Sequence, residues 1–151
     1  MKPFCLGIIV AIGLMLPAFG QDIVYPEEGI YVLNPAKSTF RGPAQKYQII
    51  NIGKETTTAV GFLPNGKPFT DTFPNGRGST DGQFHPVIGS PNYDAQANTR
   101  LDTYTVKGVR TKDGKVLQTL IAIYNPDGKT LTVSATSPTG AFNHVYVFEK
   151  Q

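Results

Sequence analysis

Residues 115–136, KVLQTLIAIYNPDGKTLTVSAT, decide the fold class of this protein. Two runs rich in β-branched and apolar residues, Lys115 to Asn125 and Thr130 to Thr136, flank Asp127-Gly128, a dipeptide that accepts the positive φ angles of a tight hairpin turn. In the second run, odd-numbered positions are apolar and even-numbered positions are threonine or serine. This period of two predicts an antiparallel hairpin with one buried face.

Segments of similar composition recur along the chain and predict about nine strands. They are Ile30 to Leu33, Tyr47 to Ile52, Thr56 to Phe62, Phe69 to Phe73, Gln83 to Ile88, Thr99 to Arg110, Lys115 to Asn125, Thr130 to Thr136 and His144 to Glu149. Asn65-Gly66 and Asp113-Gly114 supply further hairpin turns, and no ten-residue stretch keeps a helical apolar period. Successive hairpins without a crossover helix predict an all-β antiparallel meander that closes into a β-barrel, with a two-sheet β-sandwich as the alternative.

The beginning of the chain has the three parts of a secretory signal. Lys2 precedes an apolar stretch from Phe4 to Leu16, and small residues at Ala18 and Gly20 lead to the polar Gln21. The stretch is short for a membrane span, which needs about 20 apolar residues, and Pro17 interrupts it. We therefore expect residues 1–20 to be removed, leaving one domain, residues 21–151, that is secreted or periplasmic and not stably inserted in a membrane.

Composition excludes several classes of site. The only cysteine, Cys5, lies in the signal segment, so disulfides, thiolate catalysis and cysteine zinc sites are not expected in the mature chain. Secretion without disulfides is typical of bacterial envelope proteins. The formal net charge is only +3, and the basic residues are scattered rather than clustered, so a nucleic-acid interface is not expected.

Four stretches carry a resemblance to a known family. They are GIYVLNPAKSTF at 29–40, DGQFHPVIGSP at 81–91, DGKTLTV at 127–133 and VYVFEKQ at 145–151. Together they resemble the small, mostly uncharacterised, secreted bacterial lipocalin-like proteins. The resemblance implies a β-barrel of about eight or more strands that can enclose a cavity. It implies no cofactor and no catalytic residue.

Asp71 lies between Phe69 and Phe73 at the strand period, so the three side chains share one face. If that face points inward, the carboxylate needs a partner, such as Arg100 or a ligand amine. The alternative is an edge or rim position, where an inward charge discourages sheet-to-sheet aggregation.

Histidine offers little catalytic or metal-binding potential in this sequence. His85 and His144 are far apart, and neither has a second histidine or a carboxylate at ligand spacing, although a barrel could bring one to Asp71 or Asp102. We therefore predict no metal site and no enzyme, with chemistry at His85 or His144 as the remaining enzymatic alternative.

The leading functional hypothesis is a non-enzymatic barrel that binds a small apolar or amphipathic ligand inside. The candidate wall residues are Phe69, Asp71, Phe73, Tyr104, Val106, Leu131 and Val133. The alternative is a filled barrel that acts as an envelope interaction module through the predicted loops Pro74 to Gly82 and Ser90 to Asn98, with Phe84 and Tyr93 exposed near one rim. A second expectation is that the segment Asp22 to Gly29 covers the outer face of the strand Lys115 to Asn125, because that strand is apolar on both faces.

Overall fold

The computed structural model describes residues 27–45, 47–75 and 79–151. The predicted signal segment, residues 1–20, lies outside the described residues. The described residues form eleven strands and one short 3₁₀ helix, Pro35–Lys37. The strands are β1 (Gly29–Leu33), β2 (Thr39–Arg41), β3 (Tyr47–Ile52), β4 (Thr56–Phe62), β5 (Pro68–Pro74), β6 (Asp81–Pro86), β7 (Ala95–Arg100), β8 (Thr105–Lys112), β9 (Lys115–Tyr124), β10 (Thr130–Thr136) and β11 (Asn143–Lys150).

All strands belong to one antiparallel sheet that curls into a nearly closed barrel. Ten of them follow the order β5-β4-β3-β1-β11-β10-β9-β8-β7-β6, and the short β2 pairs with β11 outside this path. The first strand, β1, therefore joins the two meanders β3–β5 and β6–β11. The outer strands of the path approach each other where Thr72 and Ile88 exchange two backbone hydrogen bonds of 2.9 and 2.8 Å. The predicted all-β barrel is confirmed, and the two-sheet sandwich is excluded because the sheet is continuous.

The tight turns explain the antiparallel order. Asp113-Gly114 joins β8 to β9 with positive φ at both residues, 51° and 72°, as a two-residue hairpin turn requires. Asn65-Gly66 and Asp127-Gly128 lie between β4 and β5 and between β9 and β10, as the sequence predicts.

The segment between β6 and β8 differs from the sequence prediction. Thr99 to Arg110 is not one strand, because Leu101 to Tyr104 form a turn in which Asp102 Oδ1 accepts the Tyr104 N–H at 2.8 Å. Ser90 to Asn98 is not wholly a loop, because β7 begins at Ala95. The composition of this segment does not predict β7, because two of the buried side chains of this strand, Gln96 and Asn98, are polar.

The carboxylate of Asp94 supports the β8–β9 hairpin from the loop before β7. Its Oδ2 accepts the backbone N–H of Asp113 at 2.5 Å, and its Oδ1 accepts the Thr111 hydroxyl at 3.3 Å. The hydrogen bond from the Asp113 N–H is the main cause that lowers the pKa of Asp94 below its ordinary value of 3.8, and the bond from the Thr111 hydroxyl adds a smaller effect. A lowered folded-state pKa means that the carboxylate stabilises the fold above the unfolded pKa.

We therefore expect Asp94→Asn to reduce the free energy of unfolding at pH 6. The reduction should shrink as the pH falls below about 3.8, because the wild-type carboxyl is then protonated as well. Urea unfolding of both proteins from pH 2 to pH 6 measures this difference. If the variant were less stable than the wild type by the same free energy at every pH from 2 to 6, the charge of Asp94 would not be the source of the stabilisation.

The main core lies inside the barrel on the faces that the strand period predicts. Its buried members, all from β1, β3, β10 and β11, are Tyr31, Leu33, Ile52, Leu131, Ala135, Tyr146 and Phe148. The predicted inward face of Thr130–Thr136 is confirmed, since Leu131 and Ala135 belong to this cluster and Val133 packs against it.

The outer face of β9 is partly exposed in the structure. Leu117 and Ile123 retain 39% and 48% of their accessible surface. Glu27, the first described residue, is buried and pairs with the inward-facing Arg100 rather than lying across β9. The predicted cover is therefore not formed by the described part of Asp22 to Gly29, and residues 22–26 lie outside the described residues. Within the described ranges, no helix is long and apolar enough to cross a membrane.

Candidate ligand-binding cavity

The inward side chains of the barrel surround a cavity of about 110 Å³. Its lining has an apolar wall and a polar wall. The apolar wall includes Ile50, Leu120, Leu131, Val133 and Phe148 from β3, β9, β10 and β11. The polar wall includes Gln96, Asn98, Arg110 and Gln118 from β7, β8 and β9. Other polar side chains that line the cavity are Gln45, Gln48, Thr57, Asn75, Thr80 and Arg100.

Strand register brings the polar wall together. Arg110 on β8 lies opposite Gln96 on β7 and opposite Gln118 on β9. Arg110 Nε donates to Gln96 Oε1 at 2.6 Å, and Nη1 donates to Gln118 Oε1 at 3.3 Å. Gln96 Nε2 then donates to Asn98 Oδ1 at 2.8 Å. The three amide oxygens therefore all accept hydrogen bonds from within the wall.

Two aromatic rings hold the guanidinium of Arg110. Its Cζ lies 5.6 Å from the ring centroid of Phe73 and 4.9 Å from that of Tyr93. Both distances allow cation–π attraction, which is strongest where water is excluded. Burial raises the pKa of the Tyr93 hydroxyl, so the ring stays neutral beside the cation.

Asp71 is buried beside Arg110. The carboxylate is on the inward face of β5 with 2% of its surface exposed, and its Oδ2 lies 3.8 Å from Arg110 Nη1. Its Oδ1 is buried without a hydrogen-bond partner among the described residues. The side chain is buried rather than exposed at a rim, but β5 lies at one end of the sheet path, as the edge alternative expected. Its cationic partner is Arg110 rather than Arg100, because β8 brings Arg110 toward β5.

A second ion pair lies at the end of the barrel where β7 and β9 terminate. Arg100 Nη2 lies 2.5 Å from Oε1 of the buried Glu27. Burial raises the pKa of Glu27 despite the attraction of Arg100, and burial also raises the pKa of Tyr124. The charge of Arg100 is therefore compensated in direct contact.

The seven predicted wall residues divide into two groups. Phe73, Val106, Leu131 and Val133 line the cavity. Phe69 and Asp71 are buried inside the barrel but are not among its lining side chains, and Tyr104 lies in the turn before β8, also apart from the lining.

The histidines occupy two different environments. His85 Nε2 lies 3.2 Å from Asp81 Oδ1 on β6. His144 is buried, where Nδ1 accepts the Arg41 N–H at 3.2 Å and Nε2 lies 3.0 Å from the Pro43 carbonyl, and its ring stacks on Phe142. Neither pairs with Asp71 or Asp102 among the contacts of the described residues, and no group of three or more potential metal-ligating side chains occurs in the described ranges.

The predicted exposed aromatic pair is only half present. Phe84 retains 54% of its surface, whereas Tyr93 turns inward over Arg110. The ring of Tyr93 is therefore partly buried over Arg110 rather than fully exposed at a rim.

Comparisons of the chain with protein-family models, curated proteins and solved structures gave no match. The site therefore has to be interpreted from its own chemistry. Sequence reasoning missed the polar wall because Gln96 and Asn98 fell in a predicted loop. Gln96, Asn98 and Arg100 do alternate at the strand period, and this signal could have indicated a strand with a polar inner face.

Proposed function

We propose that this protein is a non-enzymatic, secreted or periplasmic lipocalin-like barrel that binds one small amphipathic molecule in its interior. The observation that carries the proposal is the cavity inside the barrel, in which an apolar wall faces a polar wall. Such an arrangement removes the apolar part of a ligand from water while a few fixed polar groups orient the rest. The signal-like beginning of the chain supports the proposed compartment.

The size of the cavity limits the ligand. At about 110 Å³ the cavity is smaller than the ~300–1,000 Å³ of pockets for drug-sized molecules, and it is nearer the ~150 Å³ that accommodates benzene. We therefore propose a ligand of about six non-hydrogen atoms rather than a long lipid.

Native mass spectrometry of the protein purified from its own host tests the proposal. We expect a reproducible adduct of low mass that organic extraction removes, on a chain whose mass lacks residues 1–20. Val133→Phe, which fills the cavity from its apolar side, should reduce the adduct about tenfold or more, whereas Thr132→Phe, on the outer face of the same strand, should retain it.

A bare mass for the wild-type protein before and after extraction would count against ligand binding and favour the interaction module. An adduct that persists equally in Val133→Phe would place the bound molecule outside the barrel. A milder variant, Ala122→Val, gives the same comparison if the phenylalanine disturbs folding, since Ala122 also lines the cavity.

A further inference from the structure

Building on the proposed binding function, we infer that the ligand is a small carboxylate, whose charged group binds Arg110 while its short apolar chain lies against Leu120, Leu131 and Val133. Three independent features of the cavity support this class: the charge of its lining, the direction of its hydrogen bonds and the arrangement of its two walls.

The charged lining is cationic. Arg100 and Arg110 line the cavity, whereas the two buried carboxylates near them, Glu27 and Asp71, are not among its described lining residues. Arg100 is held by Glu27 at 2.5 Å, but Arg110 Nη1 is 3.8 Å from the nearest oxygen of Asp71 in their ion pair, which is beyond hydrogen-bond distance. Arg110 therefore has the less compensated charge of the two.

The hydrogen bonds of the polar wall all run in one direction. The side-chain oxygens of Gln96, Gln118 and Asn98 accept from Arg110 or from Gln96. The NH₂ groups of Asn98 and Gln118 are thus oriented away from those bonds and can donate. A wall whose amide oxygens are engaged and whose NH₂ donors on Asn98 and Gln118 make no hydrogen bond within it suits a ligand that accepts hydrogen bonds. The planar fork of a guanidinium matches a carboxylate more closely than it matches a single hydroxyl.

The walls also determine how the ligand lies. Along β9, the inward side chains pass from Gln118 beside Arg110 to Leu120 and Ala122. Leu120 and Ala122 lie opposite Ala135 and Val133 of β10. When the carboxylate of a ligand binds Arg110, its hydrocarbon chain therefore enters the apolar part of the cavity. A chain of about three carbons fills the available volume.

Three probes of matched size separate the ligand classes: butanoate, butanamide and butylammonium. Each is titrated into the ¹⁵N-labelled protein, and dissociation constants are taken from amide chemical shifts. We expect butanoate to bind about tenfold or more tightly than butanamide, because hydrogen bonds to a charged partner are the stronger class, and we expect butylammonium to bind weakest. Val133→Phe should weaken the binding of butanoate, whereas Thr132→Phe should leave it unchanged.

Three variants test the role of Arg110 in binding the carboxylate. Asp71→Asn removes the competing carboxylate, so butanoate should bind several-fold more tightly while butanamide is unchanged. Arg110→Met with Asp71→Asn keeps the interior electrically neutral and should abolish the preference for butanoate over butanamide. Arg110→Lys keeps the positive charge and should therefore retain part of the preference for butanoate over butanamide.

The outcomes distinguish this inference from the function on which it rests. Binding of butanamide or butylammonium as tight as that of butanoate, still blocked by Val133→Phe, would overturn the carboxylate class and leave the binding barrel intact. No binding of any probe, together with a bare native mass, would overturn both.

Discussion

Phe148→Ala is expected to lower the free energy of unfolding by about 3–5 kcal/mol, because it removes a buried aromatic ring from the core of the barrel. Phe148 has 1% of its surface exposed, and its strand pairs it with Leu33 on one side and Leu131 on the other. The loss includes both the transfer of the ring from the apolar interior and the space that it leaves beside the existing cavity. Urea unfolding followed by circular dichroism measures it.

Phe84→Ala is the matched control, since it makes the same chemical change on the outer side of the barrel. Phe84 retains 54% of its surface, so its truncation should change the free energy of unfolding by about 0.5 kcal/mol. Equal losses for the two variants would be incompatible with a core inside the barrel, and would point to a sheet whose opposite face is buried.

Arg110→Met is expected to destabilise the protein by about 3–5 kcal/mol, because it leaves the carboxylate of Asp71 buried without a cation. It also removes the donors to Gln96 and Gln118. The same substitution at the exposed Arg41 should cost no more than about 0.5 kcal/mol. Chemical unfolding of the two variants at pH 7 provides the comparison.

A double-mutant cycle identifies the source of the loss. Adding Asp71→Asn to Arg110→Met removes the uncompensated charge, so the double variant should be more stable than Arg110→Met alone. Strict additivity of the two single effects would show that the pair, at 3.8 Å, has no energetic coupling.

Much of the fold could be predicted because strand and turn signals are local. The boundaries of Tyr47–Ile52, Thr56–Phe62 and Thr130–Thr136 agree with the structure, because apolar and β-branched residues there are bounded by residues that accept tight turns. The failures lie where tertiary contacts override composition. β2 forms on only three residues, Thr39–Arg41, because β11 offers it a partner, and His144 accepts the Arg41 N–H.

The candidate site could be predicted in part. That Phe69, Asp71 and Phe73 share one face follows from the strand period alone, whereas the inward direction of that face does not. The identity of the partner of Asp71 does not, because Arg110 is 39 positions away in sequence and reaches it only through closure of the barrel. The period of two places Gln96 and Asn98 on one face of a strand, but nothing local distinguishes an inward glutamine from one exposed to solvent.

The sequence by itself determined the fold class, the turn positions and which residues of a strand share a face, because backbone stereochemistry and the period of two act over a few residues. Only the tertiary structure decided which face of each polar strand is buried, which arginine meets which carboxylate, and how large a space remains between them. These properties depend on the register and closure of strands that are distant in sequence, and the physical interactions that set them exist only once the barrel has formed.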